Sequence, residues 1–324
     1  MTDDADALSR IAERLAEELI GPATLSRRQL AAEIGMELEQ ARRLWRALGF
    51  PPVADDDVVF TTADAAVLTA IRWMITERGT SEDVVVQQTR VVGQALARVA
   101  DAQVSATAER ATARTDDGAP ITSALQAIVE QAPQFEQFVV HAWRRHLIAA
   151  SLRLAATPST TERAIVVGFA DLSGFTAFSR SIDVPTLATM VDRFEALAYE
   201  HIVERGGRVV KTIGDEVMFA VDEPRPAGEI ALALVEAYGR DADLPNIRVG
   251  LAVGPVLAWE GDLFGPTVNL ASRLANFARP GSVLVSDDLG ALLSDDDTLT
   301  LRHLRSVRLK GIGAERAWVL RRAA

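Results

Sequence analysis

The residues most able to do chemistry in this sequence are two aspartates and the polar groups around them. Asp171 follows a short apolar run in FADLSGFTAFS. A carboxylate leaving the C-terminal end of a strand, ahead of a small Gly-containing turn, is placed to hold a divalent cation. In the same turn Gly174 and Phe175 offer backbone N–H groups to a phosphate. Asp215 lies 44 residues further on, in VVKTIGDEVMF, where Gly214-Asp215 reads as a hairpin turn. On a central hairpin its carboxylate can lie beside Asp171, so that the two supply oxygen ligands for one or two Mg²⁺ ions. Each alone also has a plainer reading, as a turn cap for Asp171 and as hairpin geometry for Asp215. Lys211 stands four residues before Asp215, on the same side if the hairpin is regular. In GDLFGPTVNLASRL, Asp262 precedes a Gly-Pro helix start, and Asn269 and Arg273 are four apart on one helix face. An amide and a guanidinium there can orient a sugar and neutralise a phosphoryl oxygen, although an isolated N-x-x-x-R is more commonly a solvated face.

Composition narrows the chemistry further. The chain has 324 residues and no cysteine, which removes disulfides, thiolate nucleophiles and every Cys-ligated metal site. Any metal must be held by oxygen or imidazole. The net charge of −11 is spread evenly, with 16 Arg against 22 acids up to residue 158 and 18 basic residues against 23 acids after it. Neither half resembles a nucleic-acid binder, and a nucleotide would need a local cationic pocket or bound cations. Only two of the 34 basic residues are lysine, Lys211 and Lys310. Where arginine is the default, a surviving lysine suggests a site that wants a compact ammonium, although two chance survivors would look the same. Neither lysine has the glycine that a Walker A loop requires. The longest stretch without a charged residue, Gly118 to Val129, is twelve residues, too short for a membrane-crossing helix of ~20. The acidic start MTDDADALSR lacks the features of a signal peptide, so a soluble cytoplasmic protein is expected.

These residues need elements to position them. Up to about residue 154 the pattern is helical: Ala5 to Leu19, Arg27 to Leu48, Ala63 to Glu77, Glu82 to Ala108 and about Ile121 to Leu154 place apolar residues three and four apart. Thr61 and Asp64 form a capping pair before the third, and no strand of consequence is expected in this half. TDDGAP at 115–120 is a break, and ATPSTTERA reads as an interdomain linker. Beyond Thr161 the period changes: Ala164 to Ala170 is a buried strand, Val184 to Glu204 a helix, Arg208 to Ile213 and Glu216 to Val221 a hairpin, Ala227 to Tyr238 a helix and Ile247 to Val253 a strand. The order β, α, β, β, α, β is the split βαβ arrangement of a ferredoxin-like sheet covered on one face by helices. The expected class is α+β, an antiparallel sheet with helices over 163–324, joined by a linker at 155–162 to an all-α domain over 1–154.

FADLSGFTAFS, KTIGDEVMF, GDLFGPTVNLASRL and the late LKGIG together resemble the catalytic domain of class III nucleotidyl cyclases, over about residues 160–321. The resemblance implies a cyclase homology domain that works as a homodimer with its sites at the interface. It implies Asp171 and Asp215 as ligands of two Mg²⁺ or Mn²⁺ ions per site, and Lys211 with Asp262 as the pair that reads adenine. It further implies that Asn269 orients the ribose, that Arg273 stabilises the transition state and that Lys310 binds the triphosphate. The substrate would be ATP and the product cyclic AMP. A guanylyl cyclase would carry other residues at 211 and 262, and the GGDEF-type signature of diguanylate cyclases is missing. A regulator that only binds nucleotide is the non-enzyme alternative. Pro266 stands where many members have Asn, and the segment between Gly254 and Asp262 is short, as in a bacterial subclass with a trimmed dimerisation arm.

The first half carries no catalytic motif. LSRRQLAAEIGMELEQARRLWRALGFP resembles a helix-turn-helix with Gly35 in the turn, but its domain is acidic, so packing or dimerisation is favoured over DNA binding. The whole arrangement resembles mycobacterial-type cyclases whose helical N-terminal domain regulates, and can inhibit, the catalytic one. Such a domain would sense a proton or a small lipid-like ligand. His141 and His146 on the last helix are the titratable candidates, and simple solvation is their plainer reading.

Overall fold

The structure is a computed structural model that describes residues 11, 13–114, 120–155 and 164–323. Residues 156–162 of the linker expected at 155–162, 115–119 of the break expected at 115–120 and 5–10 of the first expected helix lie outside the described residues, whereas Pro120 and Ala155 are helical. The chain divides into two compact units, Met1–Ala156 and Thr157–Ala324.

In the first unit a helical stretch over 13–20 (α1) is followed by β1 (Leu25–Ser26), α2 (Arg27–Ile34), α3 (Leu38–Ala47), β2 (Val58–Phe60), α4 (Thr62–Thr76), α5 (Glu82–Arg114) and α6 (Pro120–Ala155). Local chemistry sets the helix ends. Ser26 caps α2 and Thr61 caps α4, each in a capping box closed by Gln29 or Asp64. Gly35, at φ 64°, ends α2 in the left-handed region and splits the 27–48 segment into two helices. The absence of strands expected here is corrected, because β1 and β2 form a two-stranded antiparallel sheet pairing Leu25 with Phe60. That pairing drives Phe60, 1% exposed, into a core with Leu30, Leu44, Leu68 and Val85. Beneath it Arg27, its side chain 5% exposed, donates to Asp55 at 2.7 Å and to the Val53 carbonyl at 3.0 Å.

The second unit continues with β3 (Ala164–Leu172), α7 (Phe175–Phe178), α8 (Val184–Glu204), β4 (Arg208–Ile213), β5 (Glu216–Val221), α9 (Pro224–Arg240), β6 (Ile247–Pro255), β7 (Leu257–Trp259), β8 (Asp262–Phe264), α10 (Pro266–Phe277), β9 (Ser282–Ser286), α11 (Asp287–Leu293), β10 (Leu299–Leu309) and β11 (Gly313–Arg322). Seven strands form one sheet in the order β10-β11-β9-β6-β3-β5-β4, and β7 pairs with β8 in a separate hairpin. Only the β6–β9 pairing in the large sheet is parallel.

Helices cover both faces of this sheet, not one as the strand order suggests. Val166, Leu172, Phe219 and Leu251 pack with Phe194 and Ile202 of α8, Ile230 of α9 and Leu289 of α11. The alternate residues Val167, Phe169, Met218 and Ala252 pack with Ala271 and Ala275 of α10. The physical reason is in β3, which is apolar at both parities, so that each face removes hydrophobic surface from water. Gly250 allows the close approach of α10, since a Cβ there would fall 2.1 Å from the Ala275 backbone nitrogen.

Candidate active site

Strand β3 runs past its apolar stretch to Leu172, and this places Asp171 inside the ladder. Its register partners are Glu216 on β5 and Arg248 on β6. Paired residues point to the same side of a sheet, so acid, acid and guanidinium stand abreast on the face that carries α10. Arg248 Nε and Nη2 each lie 2.5 Å from Asp171 Oδ2, and Nη1 donates to the Asn276 carbonyl at 3.2 Å. Asp215 occupies the β4–β5 turn after Gly214, at φ 63°, and its carbonyl accepts from the Leu172 N–H at 3.0 Å. Its carboxylate is close enough to Asp171 to raise that carboxyl's pKa.

The crowding of acids shifts two of the carboxyls upward. Burial raises the Asp171 carboxyl above its ordinary value, Arg248 draws it back, and Asp215 adds to the rise. Glu216 is pushed up to about 7, first by burial and then by the charges of Asp171 and Asp215, against the pull of Arg248 and Lys211. One carboxyl thus feels Asp171, Asp215, Arg248 and Lys211 together, which gathers them into a single charged patch.

Lys211 reaches the patch from β4, beside a register shift that sets it opposite Met218. Its ammonium pairs with Asp262 Oδ2, and Asp262 Oδ1 accepts from the Leu263 N–H at 2.7 Å. The ammonium also lies 6.0 Å from the centre of the Phe264 ring. Asn269 and Arg273 are both exposed on α10, and Lys310 is exposed in the turn between β10 and β11. Among the described residues, no hydrogen bond or ion pair joins these three to the acids. Gly174, at φ 78°, is the N-cap of α7 and Phe175 its first residue, so neither N–H has an intrahelical acceptor. His141 and His146 are both exposed on α6.

Among the described residues, no group of three or more His, Asp or Glu forms a cage for a metal. Two neighbouring carboxylates could still serve as donors to a divalent cation that keeps several waters and takes further oxygens from phosphate. Arg248 and Glu216 escaped the sequence reading. The signal for the first was an arginine inside the apolar run IRVGLAV, where a buried strand calls for a partner, and for the second its place beside Asp215.

A ferredoxin-like sheet whose first strand and edge hairpin β4–β5 present paired carboxylates, beside a Lys–Asp pair, is the architecture of a nucleotidyl cyclase domain. Residues 157–322 match the family described as the adenylate and guanylate cyclase catalytic domain, and residues 7–148 match the adenylate cyclase regulatory domain. The chain belongs to this cyclase family and is an enzyme of it, with the regulatory domain preceding the catalytic one. A protein named adenylate cyclase from Glutamicibacter nicotianae is 35% identical, over 95% of this chain and 80% of its own length. Another so named, from Streptomyces coelicolor, is 40% identical over 79% of this chain and 68% of its own. A pH-sensitive adenylate cyclase of Mycobacterium tuberculosis is 32% identical over 93% and 79%, respectively. Among solved structures, the catalytic core of a rhodopsin-guanylyl cyclase with converted specificity, in complex with ATPαS, is 25% identical over 50% of this chain and 98% of its own, at a TM-score of 0.46. Among the described residues, no helix is long and apolar enough to cross a membrane.

Proposed function

We propose that this chain is an adenylyl cyclase that converts ATP to 3′,5′-cyclic AMP and pyrophosphate in the cytoplasm, at sites completed by a second copy of itself and controlled by its N-terminal domain. The observation that carries the reading is geometric: Asp171 stands in register with Glu216 and Arg248, Asp215 sits in the adjoining β4–β5 turn, and Lys211 pairs with Asp262. Asp171 and Asp215 would hold two cations, Mg²⁺ or Mn²⁺. When bound, these ions would lower the pKa of the ribose 3′-hydroxyl and offset the charge of the triphosphate.

The chain's own residues supply base recognition and orientation. The Watson–Crick edge of adenine offers an acceptor at N1 and a donor at N6. An ammonium and a carboxylate held together, as Lys211 and Asp262 are, complement that edge and leave the reversed edge of guanine mismatched. Asn269 would fix the ribose so that its 3′-oxygen lies in line with the α-phosphorus. Arg273 would neutralise the phosphoryl oxygens as the bond to pyrophosphate breaks, and Lys310 the β- and γ-phosphates that leave as pyrophosphate. Gly174 and Phe175 would add backbone N–H groups to the phosphates.

Two features support a homodimer with two equivalent sites. Asn269 and Arg273 are exposed on α10, and among the described residues neither bonds to the acids of its own protomer; the cyclase catalytic-domain match over 157–322 is the second. Control by the first domain is supported by the regulatory-domain match and by α6, which runs to Ala155, nine residues before the first catalytic strand. The test is cyclic AMP formation from ATP with Mn²⁺ by the full-length protein, with GTP in parallel and Asp215→Ala as the blank. Activity equal in the blank, or absent both from wild type and from the protein lacking residues 1–155, ends the reading. Removal of residues 1–155 without change in rate or pH response would end the claim of N-terminal control alone.

A further inference from the structure

Among the described residues, Arg248 is the one guanidinium that touches an acid of the site, and it does so from two anchors. Two of its nitrogens converge on Asp171 Oδ2 at 2.5 Å each, and the third is held by the Asn276 carbonyl at 3.2 Å, near the C-terminus of α10. That end of a helix carries partial negative charge and favours a cation. The Asn276 side chain is tied in turn to the Ser272 carbonyl at 2.9 Å, so the anchor belongs to a closed helical turn. Around Asp171 the forces are unbalanced without Arg248, since Asp215 and Glu216 are both acids on its other flank. Their repulsion would rotate the carboxylate away from any cation it should meet.

We propose that Arg248 is a positioning residue for the metal-binding carboxylate: it pins Asp171 through Oδ2, leaves Oδ1 for the cation, and ties this acid to the helix that bears Asn269 and Arg273. This deepens the cyclase reading and rests on it for the identity of the cation site. A planar fork with donors at fixed angles can hold one carboxylate oxygen and a carbonyl at once, whereas a lysine at this position is a point charge on a flexible stem. Partners that orient a ligating group contribute about 10–100-fold to metal affinity or activity.

The experiment compares wild type with Arg248→Gln and Arg248→Lys in the full-length protein. Mn²⁺ binding is read directly by electron paramagnetic resonance of free Mn²⁺ without nucleotide, and beside it the Mn²⁺ half-saturation, kcat and KM for ATP. The expected result is Mn²⁺ binding weakened about 10–100-fold in Arg248→Gln, with partial recovery in Arg248→Lys and a melting temperature close to wild type. Unchanged affinity in Arg248→Lys overturns the proposal, and so does tighter binding in either variant, because the guanidinium would then only compete with the cation. If Arg248→Gln does not fold, Arg248→Lys decides alone. Wild type that binds Mn²⁺ but forms no cyclic nucleotide, with or without residues 1–155, defeats the cyclase reading, while the binding comparison for Arg248 still stands or falls by itself.

Discussion

Gly250→Ala is a one-carbon change that should separate catalysis from folding. Gly250 lies on β6 opposite Phe169 of β3, on the face where α10 packs. A Cβ there would meet the Ala275 nitrogen at 2.1 Å, the Ala271 carbonyl oxygen at 2.4 Å and the Ala275 Cα at 2.8 Å. All three are main-chain atoms, so no rotamer change relieves the overlap. Ordinary contact begins near 3.4 Å, and the helix must retreat by about 1.3 Å to reach it. Overpacking of this kind costs about 1–3 kcal/mol. In a domain of 150–250 residues that lowers the melting temperature by about 2–4 °C per kcal/mol. The helix that moves carries Asn269 and Arg273, and a misplacement of ~1 Å in a positioning element can cost ~100-fold in rate. The expected outcome is a folded protein with kcat for cyclic AMP down about 100-fold. Initial rates at saturating ATP and Mn²⁺, measured beside a circular-dichroism melt, read both quantities. A variant within twofold of wild-type kcat would refute the argument, since the helix would then tolerate displacement or not carry the chemistry.

Three further changes probe other links in the chain. Lys211→Ala should weaken ATP discrimination over GTP by about 10–100-fold, from ~1.5–3 kcal/mol for a hydrogen bond to a charged group, and an unchanged ratio of kcat/KM values for the two nucleotides would exclude base reading by the Lys211–Asp262 pair. Asp55 is held at about 2, below its ordinary 3.8, first by Arg42 and then by Arg27. A depressed carboxylate contributes stability that is full above the unfolded value and lost as pH falls through the folded one, so urea melts of the N-terminal unit should lose stability between pH 4 and about 2, and Asp55→Asn should flatten that dependence. Gly93→Ala would bring a Cβ to 2.5 Å from the Leu48 carbonyl oxygen and should destabilise the same unit by about 1–3 kcal/mol, whereas a melt equal to wild type would mean that α5 slides freely past the end of α3.

Much of the fold was legible because hydrophobic period changes with element type. Among the described residues, the helical spacing up to residue 154 and the β, α, β, β, α, β order after it reappear in the structure, with ends shifted by a few residues. The misses have local causes. β1 and β2 have two and three residues, shorter than any alternation can register. The second helical layer was missed although Ile165, Val167 and Phe169 announce it, because strand order alone does not say how many faces are buried. In the site, the structure brings Asp171 beside Asp215 and Lys211 onto Asp262, whereas Asn269, Arg273 and Lys310 stand exposed and apart.

The sequence by itself determined the helical first half, the α+β second half and the family, because those rest on local period and on motifs whose residues are near neighbours in the chain. Tertiary structure decided which charges meet. Arg248 is 77 residues from Asp171 and Asp262 is 51 from Lys211, and each encounter depends on strand register, where a shift of one residue would turn the side chain to the opposite face. The two-faced sheet and the contact of α10 over Gly250 are likewise set by packing between distant segments, which is why the environment of the carboxylates had to be seen folded.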